Sequence, residues 1–209
     1  DGAAAALDLR LDRFKDKFYV PSINGKQGAI FQLMDKEKQA AFAFENDVPM
    51  AKTEVISLEG DNPRTSIPLP VILKPVISSK GDKKDIRICH TEKEYSDAIA
   101  ELKGKNYQEI LVQEFLSMDY EIDVFGAIYK NKDYNSIIPT KTIRAWPVNK
   151  GTNSFSMVMT DEKIIAECRK IINTLKNYGY YGLYDIEVFV IGDKVYLNEM
   201  NLRNAGEIY

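Results

Sequence analysis

The sequence predicts an α+β fold, and three observations carry that prediction. Helix-like and strand-like patterns alternate along the chain, and several neighbouring strands are joined by loops short enough for antiparallel hairpins. The chain has 209 residues, 44% of them hydrophobic, which is enough for one large domain or for two small lobes with their own cores. Hairpins between neighbouring strands argue against a doubly wound parallel sheet.

The composition excludes several classes of protein. A net charge of -3 and a pI near 5.4 rule out a bulk basic surface for nucleic acid or an anionic membrane. No apolar run approaches the roughly 20 residues of a membrane-spanning helix. Two cysteines and one histidine exclude a disulfide scaffold and a zinc cluster of Cys and His. We interpret Cys89 and Cys168 as unpaired, which together with the absence of an N-x-[ST] site predicts a cytoplasmic protein.

The ends of the sequence are unusual. It begins with Asp1, Gly2 and an alanine run, without a Met or a signal peptide, and it stops at Tyr209, just after a polar segment. We therefore expect a fragment of a longer polypeptide, and we interpret residues 1–34 as a connecting segment.

Clear local signals begin at Asp35, which is suited to the N-cap of a helix. The alanines that follow favour that helix, and Pro49 ends it because proline restricts the residue before it. Residues 57–70 contain glycine, asparagine and several prolines, a composition typical of a loop.

The next segment predicts a strand, a loop, a strand and a helix. Residues 71–75 form a short apolar strand closed by proline, residues 77–85 form a polar loop, and residues 86–89 alternate as a returning strand. Residues 91–94 are a capping box, and the helix that they begin ends at Gly104.

The second half predicts further strands and one strongly amphipathic helix. That helix has acids in its first turn, apolar residues at helical spacing and a glycine after its end. The predicted elements are strands at 110–116 and 120–129, one or two strands within 136–159, a helix at 161–178, and a hairpin of 184–191 with 195–200.

The last hairpin carries the most informative polar residues. Glu187 interrupts an apolar strand, and Glu199, Asn201 and Arg203 share one face of the return strand if that strand continues. A two-residue loop at 192–193 would put Glu187 on the face opposite Glu199, whereas a three-residue loop or a bulge would bring both carboxylates together. Two carboxylates and an amide oxygen suit Mg²⁺, and the alternative is an ordinary solvent-facing strand.

Two other segments are candidates for binding an anion or a nucleotide. Lys74 interrupts a buried strand, so its ammonium must reach solvent or meet an anion such as phosphate, or form a structural ion pair. In residues 112–116, a Gln-Glu pair near the end of an apolar strand is suited to contacting adenine, although a plain edge strand has the same pattern.

The order of these motifs resembles the ATP-grasp superfamily over residues 30–206, and the Glu-x-Asn-x-Arg close is its most specific part. The resemblance implies an ATP-grasp fold, in which two α+β lobes with mostly antiparallel sheets clasp the nucleotide. Residues 35–115 would form the N-terminal lobe and residues 116–209 the C-terminal lobe. The Rossmann-like domain that usually precedes this region, and the tail that follows it, are not in this sequence.

The resemblance also assigns roles in nucleotide binding. Lys36 and Lys74 would contact the phosphates, and the 77–85 loop, with Ser78, Ser79 and Gly81, would close over them. Glu121 would bind the ribose, or Asp119 if the alignment slips. The adenine would lie against the backbone of Glu114 and Leu116, beside Gln113 and Phe115.

The remaining roles concern the metal and the reaction. The Mg²⁺ (or Mn²⁺) ligands would be Glu187, Glu199 and Asn201. Arg203 would lie near the transferred phosphoryl group, and Lys141 and Arg144 are further candidates for the γ-phosphate or the substrate carboxylate.

The implied activity is an ATP- and Mg-dependent ligase that joins a carboxylate to an amine through an acylphosphate. The expected partners are small-molecule carboxylates and amines, with no nucleic acid or membrane, and a second copy of the chain in a homodimer. Two alternatives stay open: a kinase of a small hydroxyl substrate, and a module that binds ATP without chemistry.

Overall fold

The computed structural model describes residues 2–60, 63–76, 85–131, 133–146 and 152–205. The chain divides into two compact units. The larger comprises Asp1–Met50 and Met118–Tyr209, and the smaller comprises Ala51–Ser117. Among the described residues, no helix combines the length and the apolarity that crossing a bilayer requires.

The larger unit is an antiparallel sheet packed against helices. Its described helices are α1 (Gly2–Asp8), α2 (Leu11–Phe14), α3 (Ala29–Leu33), α4 (Lys36–Glu45) and α6 (Glu162–Asn177). Its described strands are β1 (Ser22–Ile23), β6 (Tyr120–Ile128), β7 (Asn135–Trp146), β8 (Thr152–Val158), β9 (Tyr180–Ile191) and β10 (Lys194–Asn201).

These strands form one six-stranded sheet in which β9 is central. The order is β1-β9-β6-β7-β8, and β10 also pairs with β9. Every pairing in this sheet is antiparallel. One face packs into a core with α6, and the fully buried side chains there include Ile122, Val124, Ile172, Leu175, Ile186 and Val188. The opposite face of the sheet is therefore the one that is available for a functional site.

Helix α6 forms where its sequence predicts it. The side chain of Asp161 accepts hydrogen bonds from the backbone amides of Lys163 and Ile164, which caps the first turn. Gly179 follows the helix with a φ of 101°, a conformation that suits glycine. The apolar stripe that α6 buries consists of Ile164, Cys168, Ile171, Ile172 and Leu175.

The smaller unit is a four-stranded antiparallel sheet with one helix. Its elements are β2 (Thr53–Ser57), β3 (Val71–Pro75), β4 (Arg87–Cys89), α5 (Glu92–Gly104) and β5 (Glu109–Glu114), with the strand order β2-β5-β3-β4. The predicted capping box is confirmed, because the side chain of Thr91 accepts from the amide of Glu94 and the Glu94 carboxylate accepts from the amide of Thr91. The core lies between α5 and one face of the sheet.

Most predicted elements are confirmed, including the helix after Asp35, the strand at 71–75 and the final hairpin. The strand β2 was not predicted. The 149–151 loop and most of the 77–85 loop lie outside the described residues.

The predicted boundary at residue 35 differs from the division that the structure shows. Residues 1–50 pack with the larger unit, because Ile23, Ile30 and Phe42 lie in its core. Residues 1–34 are therefore an integral part of this unit rather than a connecting segment, and helix α4 belongs with it instead of with residues 51–117.

Candidate functional site

The hairpin of β9 and β10 contains a two-residue turn and a bulge. The turn is Gly192-Asp193, and further along the ladder the register shifts between Leu197 and Glu199. Asn198 is therefore an extra residue on β10, and Glu199 pairs with Glu187. Of the arrangements considered from the sequence, the bulge is the one that brings the two carboxylates together.

Two contacts from outside the hairpin flank this bulge. Before it, the amide of Leu197 donates to the carbonyl of Pro49 at 2.7 Å. After it, the side chain of Gln39 makes a pair of hydrogen bonds with Met200: its Nε2 donates to the carbonyl at 2.9 Å, and its Oε1 accepts from the amide at 2.8 Å. Gln39 is 1% exposed, so α4 holds the backbone between the two candidate ligands from a buried position.

The acids of β6, β9 and β10 share one face of the sheet. Asp123 pairs with Glu187, and Asp185 pairs with Asn201. Successive side chains of a strand alternate between faces, so these residues lie opposite the core face. We call this surface the carboxylate face, and it carries Glu121, Asp123, Asp185, Glu187, Glu199 and Asn201.

The carboxylate face is electrostatically unfavourable without a cation. Burial, followed by repulsion from Glu199 and the other acids, raises the pKa of Glu187 to about 8. Burial also raises the pKa of Asp123 and of Asp185. A divalent cation bound here would stabilise the ionised forms of these carboxyl groups.

Polar neighbours orient the two candidate metal-binding carboxylates. The bulged residue Asn198 donates from its side-chain amide to Glu187 Oε2 at 3.1 Å. The ammonium of Lys36 lies 4.0 Å from Glu199 Oε2, so the predicted phosphate lysine adjoins the predicted metal site.

The two flanking aspartates also have partners. Arg203 forms a salt bridge with Asp185 at 3.1 Å, which fixes its guanidinium at the Asn201 end of the face. Asn153 of β8 donates to Asp123 at 3.1 Å. The candidate site therefore draws on α4, β6, β8, β9, β10 and the segment after β10.

The donor set fits Mg²⁺ only in part. No group of three or more His, Cys, Asp or Glu side chains in the described residues is arranged to hold a metal ion. Two glutamates and an asparagine supply hard oxygen ligands, and phosphate oxygens and water usually complete the shell of a protein-bound Mg²⁺. The site therefore fits a metal that arrives with a nucleotide better than a metal held by protein alone.

In the smaller unit, Lys74 lies on the face of the sheet opposite its core. Its ammonium donates to Gln113 Oε1 at 2.8 Å, and Gln113 Nε2 donates to Thr53 Oγ1 at 3.0 Å. Leu73 and Val112, one residue away on each strand, point into the core. A partly buried lysine held by a neutral amide is suited to binding an anion.

The predicted adenine segment is anchored at the end of β5. The amide of Glu114 donates to the carbonyl of Lys52 at 2.8 Å, and the amide of Phe115 donates to the carbonyl of Pro70 at 3.0 Å. The carboxylate of Glu114 also accepts from the amide of Lys52 at 3.3 Å. The sheet thus fixes the backbone immediately before Leu116.

Lys141 does not lie on the carboxylate face, and its role at the γ-phosphate or the substrate carboxylate stays a prediction. It pairs with Ile122, a core residue, and cross-strand partners share a face. Its ammonium lies 3.7 Å from the centroid of the Tyr120 ring, which packs against the core. Side chains alternate between the two faces along β7, so Lys141 lies on the face opposite the acids.

The other predicted residues have mixed placements. Arg144 lies at a register shift between β7 and β8 and donates to Ser154 Oγ at 3.3 Å. Asp119 accepts from the amide of Gly192 at 2.7 Å and so caps the hairpin turn. The predicted loop residues Ser78, Ser79 and Gly81 lie outside the described residues.

Sequence reasoning missed Asp123, Asp185 and Gln39. A signal for the two aspartates is present, because acids recur with period two at 121 and 123 and at 185 and 187 within otherwise apolar strands. Gln39 gives no such signal, since its partner Met200 is distant in sequence.

The comparisons with known proteins show the family of this chain and its fold. The family model described as the ATP-grasp domain matches residues 41–207. The chain belongs to the ATP-grasp family.

Two relatives are formate-dependent phosphoribosylglycinamide formyltransferases. The protein from Nitratiruptor sp. is 29% identical over 157 residues, covering 71% of this chain and 38% of its own length. The protein from Francisella tularensis subsp. tularensis is 30% identical over 144 residues, covering 66% of this chain and 36% of its own length. The chain thus spans well under half the length of these relatives.

Solved structures share the ATP-grasp fold. N5-carboxyaminoimidazole synthase from Aspergillus clavatus, in complex with ADP and 5-aminoimidazole ribonucleotide, gives a TM-score of 0.65 at 14% identity and covers 95% of this chain and 51% of that one. D-alanine–D-alanine ligase from Bacillus anthracis, complexed with ATP, gives 0.60 at 15% identity and covers 84% and 56%. This ATP-grasp chain therefore has the predicted mixed α and β fold with antiparallel sheets.

Proposed function

We propose that this chain forms the nucleotide-binding part of an ATP- and Mg-dependent ligase that joins a carboxylate to an amine through an acylphosphate. The observation that carries the proposal is the bulge at Asn198, which pairs Glu199 with Glu187 on the carboxylate face. The names of the relatives and the nucleotide complexes among the similar structures support it.

The carboxylate face is assigned to the metal and the phosphates. Glu187, Glu199 and Asn201 would hold Mg²⁺, which neutralises charge on phosphate oxygens when bound. Lys36 would neutralise phosphate from its position 4.0 Å from Glu199. Arg203, oriented by Asp185, would stabilise charge on the phosphoryl group in transfer.

Further residues are assigned to the nucleotide. Lys74 would bind phosphate, the ordered backbone around Glu114 and Leu116 would meet the adenine, and Glu121 would bind the ribose. The 77–85 loop would cover the phosphates. A cytoplasmic location and a homodimer stay predictions from the sequence.

The proposed reaction has two balanced steps. An oxygen of the substrate carboxylate attacks the γ-phosphorus of ATP, a new O–P bond forms, and the bond to the bridging oxygen of ADP breaks. The amine nitrogen then attacks the acyl carbon, phosphate leaves with the C–O electron pair, and the nitrogen loses a proton. Charge neutralisation and positioning are the protein's contributions, so no side-chain nucleophile is needed.

The test uses the full-length protein, ATP, Mg²⁺ and a panel of carboxylic acids with hydroxylamine as the trap. We expect acid-dependent ADP release and hydroxamate formation, both reduced at least about 100-fold by Glu199→Gln. Glu45→Gln, which changes an exposed acid at the end of α4, is the matched control and should leave both unchanged.

Two outcomes would contradict the proposal. Undiminished turnover by Glu199→Gln would remove the metal-binding role of that residue. ADP release that depends on an alcohol and yields no hydroxamate would indicate a kinase instead, because only an acylphosphate reacts with hydroxylamine in this assay.

A further inference from the structure

A small cavity lies in the larger unit beside Arg203. Its volume is about 150 Å³, and its wall includes Arg203 and Asn204. The rest of the wall is mainly apolar and is formed by Leu7 and its neighbours in α1, Pro21, Ile30, Leu183 and Leu202. None of these residues has a role in the nucleotide site proposed above except Arg203.

The cavity continues the carboxylate face along β9. Leu183 lies on the same face of the strand as Asp185 and Glu187, because the three are separated by two residues each. Four residues of strand, roughly 13 Å, separate Leu183 from Glu187, whereas Leu202, another residue of the wall, directly follows the proposed ligand Asn201. Arg203, which forms a salt bridge with Asp185, connects the wall of the cavity to the carboxylate face.

The surface of the cavity is suited to an aliphatic group. Leu7 is 37% exposed and Leu183 is 46% exposed, so both leave apolar area uncovered, while Ile30 and Leu202 behind them are buried. Asp8 also contributes to the wall, but it is 1% exposed and its Oδ2 accepts from the amide of Phe31 at 2.9 Å. The carboxylate of Asp8 therefore lies beneath the accessible surface.

We propose that this cavity binds the aliphatic tail of the carboxylate substrate, whose carboxylate lies at Arg203. The inference rests on the proposed function, which requires the carboxylate to lie near the phosphoryl group that Arg203 stabilises. An apolar cavity of about 150 Å³ holds a molecule the size of benzene, so the tail has up to about six carbon atoms. The substrate class is a medium-length aliphatic monocarboxylic acid, rather than an acid without a tail.

The first test is a chain-length series in the full-length protein. Straight-chain acids from formate to octanoate are assayed for hydroxamate formation with ATP and Mg²⁺. We expect kcat/KM to rise about fourfold for each added methylene, equivalent to about 0.8 kcal/mol per buried CH₂, and to level off once the cavity is full. Equal kcat/KM for formate, acetate and hexanoate would overturn the proposal.

A filling variant locates the effect in the cavity. Leu183→Trp places a large ring on an exposed position of the wall, and we expect it to flatten the chain-length series. Ile138→Trp is the matched control, because Ile138 is a strand residue of similar exposure, at 51%, that does not line the cavity. An unchanged chain-length series in Leu183→Trp would contradict the proposal.

The second test measures binding without ATP. Ligand-observed NMR compares hexanoate, hexylamine and hexanol with the full-length protein and with Leu183→Trp. We expect hexanoate to bind most tightly and to lose at least about fourfold in affinity in the variant. Preferential binding of hexylamine would overturn the proposal, because it would indicate that the charge of Asp8 governs the cavity. Hexanoate binding without hydroxamate from any acid would instead sink the ligase proposal and leave the binding cavity standing.

Discussion

The two sheets of this protein both carry polar chemistry on the face away from their cores, yet with opposite charge. In the larger unit, five acids crowd one face around the central strand β9, and repulsion and burial raise the pKa of Glu187 to about 8. In the smaller unit, a single lysine, Lys74, is held by a neutral glutamine. A cation would stabilise the ionised acids of the first face, and the ammonium on the second face is suited to an anion.

The two faces also differ in how they are held. The carboxylate face depends on a bulge, fixed from outside by Pro49 and Gln39. We call the face of the smaller sheet that carries Lys74 the lysine face. It depends on regular antiparallel pairing of β2, β5 and β3, without a register shift. The irregular region should therefore be more sensitive to loss of a single supporting contact.

The largest expected effect compares two buried glutamines. Gln39→Leu leaves the amide and the carbonyl of Met200 without their partners, and we expect a loss of about 3 kcal/mol in the free energy of unfolding. Gln113→Leu removes contacts to Lys74 and Thr53, both partly exposed, and should cost about 1 kcal/mol. Chemical denaturation of both variants measures the difference, and equal losses would show that the bulge needs no such support.

A second comparison concerns ligand binding rather than stability. Lys74→Met keeps the length of the side chain and removes its charge, so we expect ATP affinity to fall about tenfold or more, equivalent to about 1.4 kcal/mol. Calorimetric titration with ATP checks this, and Lys74→Arg is the charge-preserving control. Unchanged affinity in Lys74→Met would mean that the lysine face binds no phosphate.

The regular parts of the molecule could be predicted from the sequence because their signals are local. The caps at Asp35, Thr91 and Asp161 and the apolar stripe of α6 specify helices without reference to distant residues. Residues 1–34 have few such signals. Strand β1 and helix α3 are stabilised by burying Ile23 and Ile30, respectively, in a core formed by later strands.

The types of residue in the candidate site could be predicted from the sequence, but the strand register that brings them together could not. The sequence left open whether Glu187 faces Glu199, because the outcome depends on one extra residue that distant contacts hold in place. The face on which Lys141 lies depends on register in the same way. Its face follows from pairing with Ile122, and a shift of one residue would have reversed it.

The last comparison is a pH dependence of stability that distinguishes the two faces. The pKa of Glu187 rises from an ordinary 4.5 to about 8 on folding, so between those values the folded state binds more protons than the unfolded state. Without metal, this group therefore makes the protein less stable as pH rises through that range. Glu187→Gln should remove the penalty and unfold at a higher temperature than the wild type at about pH 8.5, with little difference at about pH 5. Mg²⁺ with ATP should stabilise the wild type more at the higher pH, because binding requires the ionised carboxylate.

Melting temperatures of both proteins across this range, in EDTA and in Mg²⁺-ATP, measure the effect. Parallel curves for wild type and variant would mean that Glu187 is already ionised without a cation, and the contrast between the two faces would then lose its electrostatic basis.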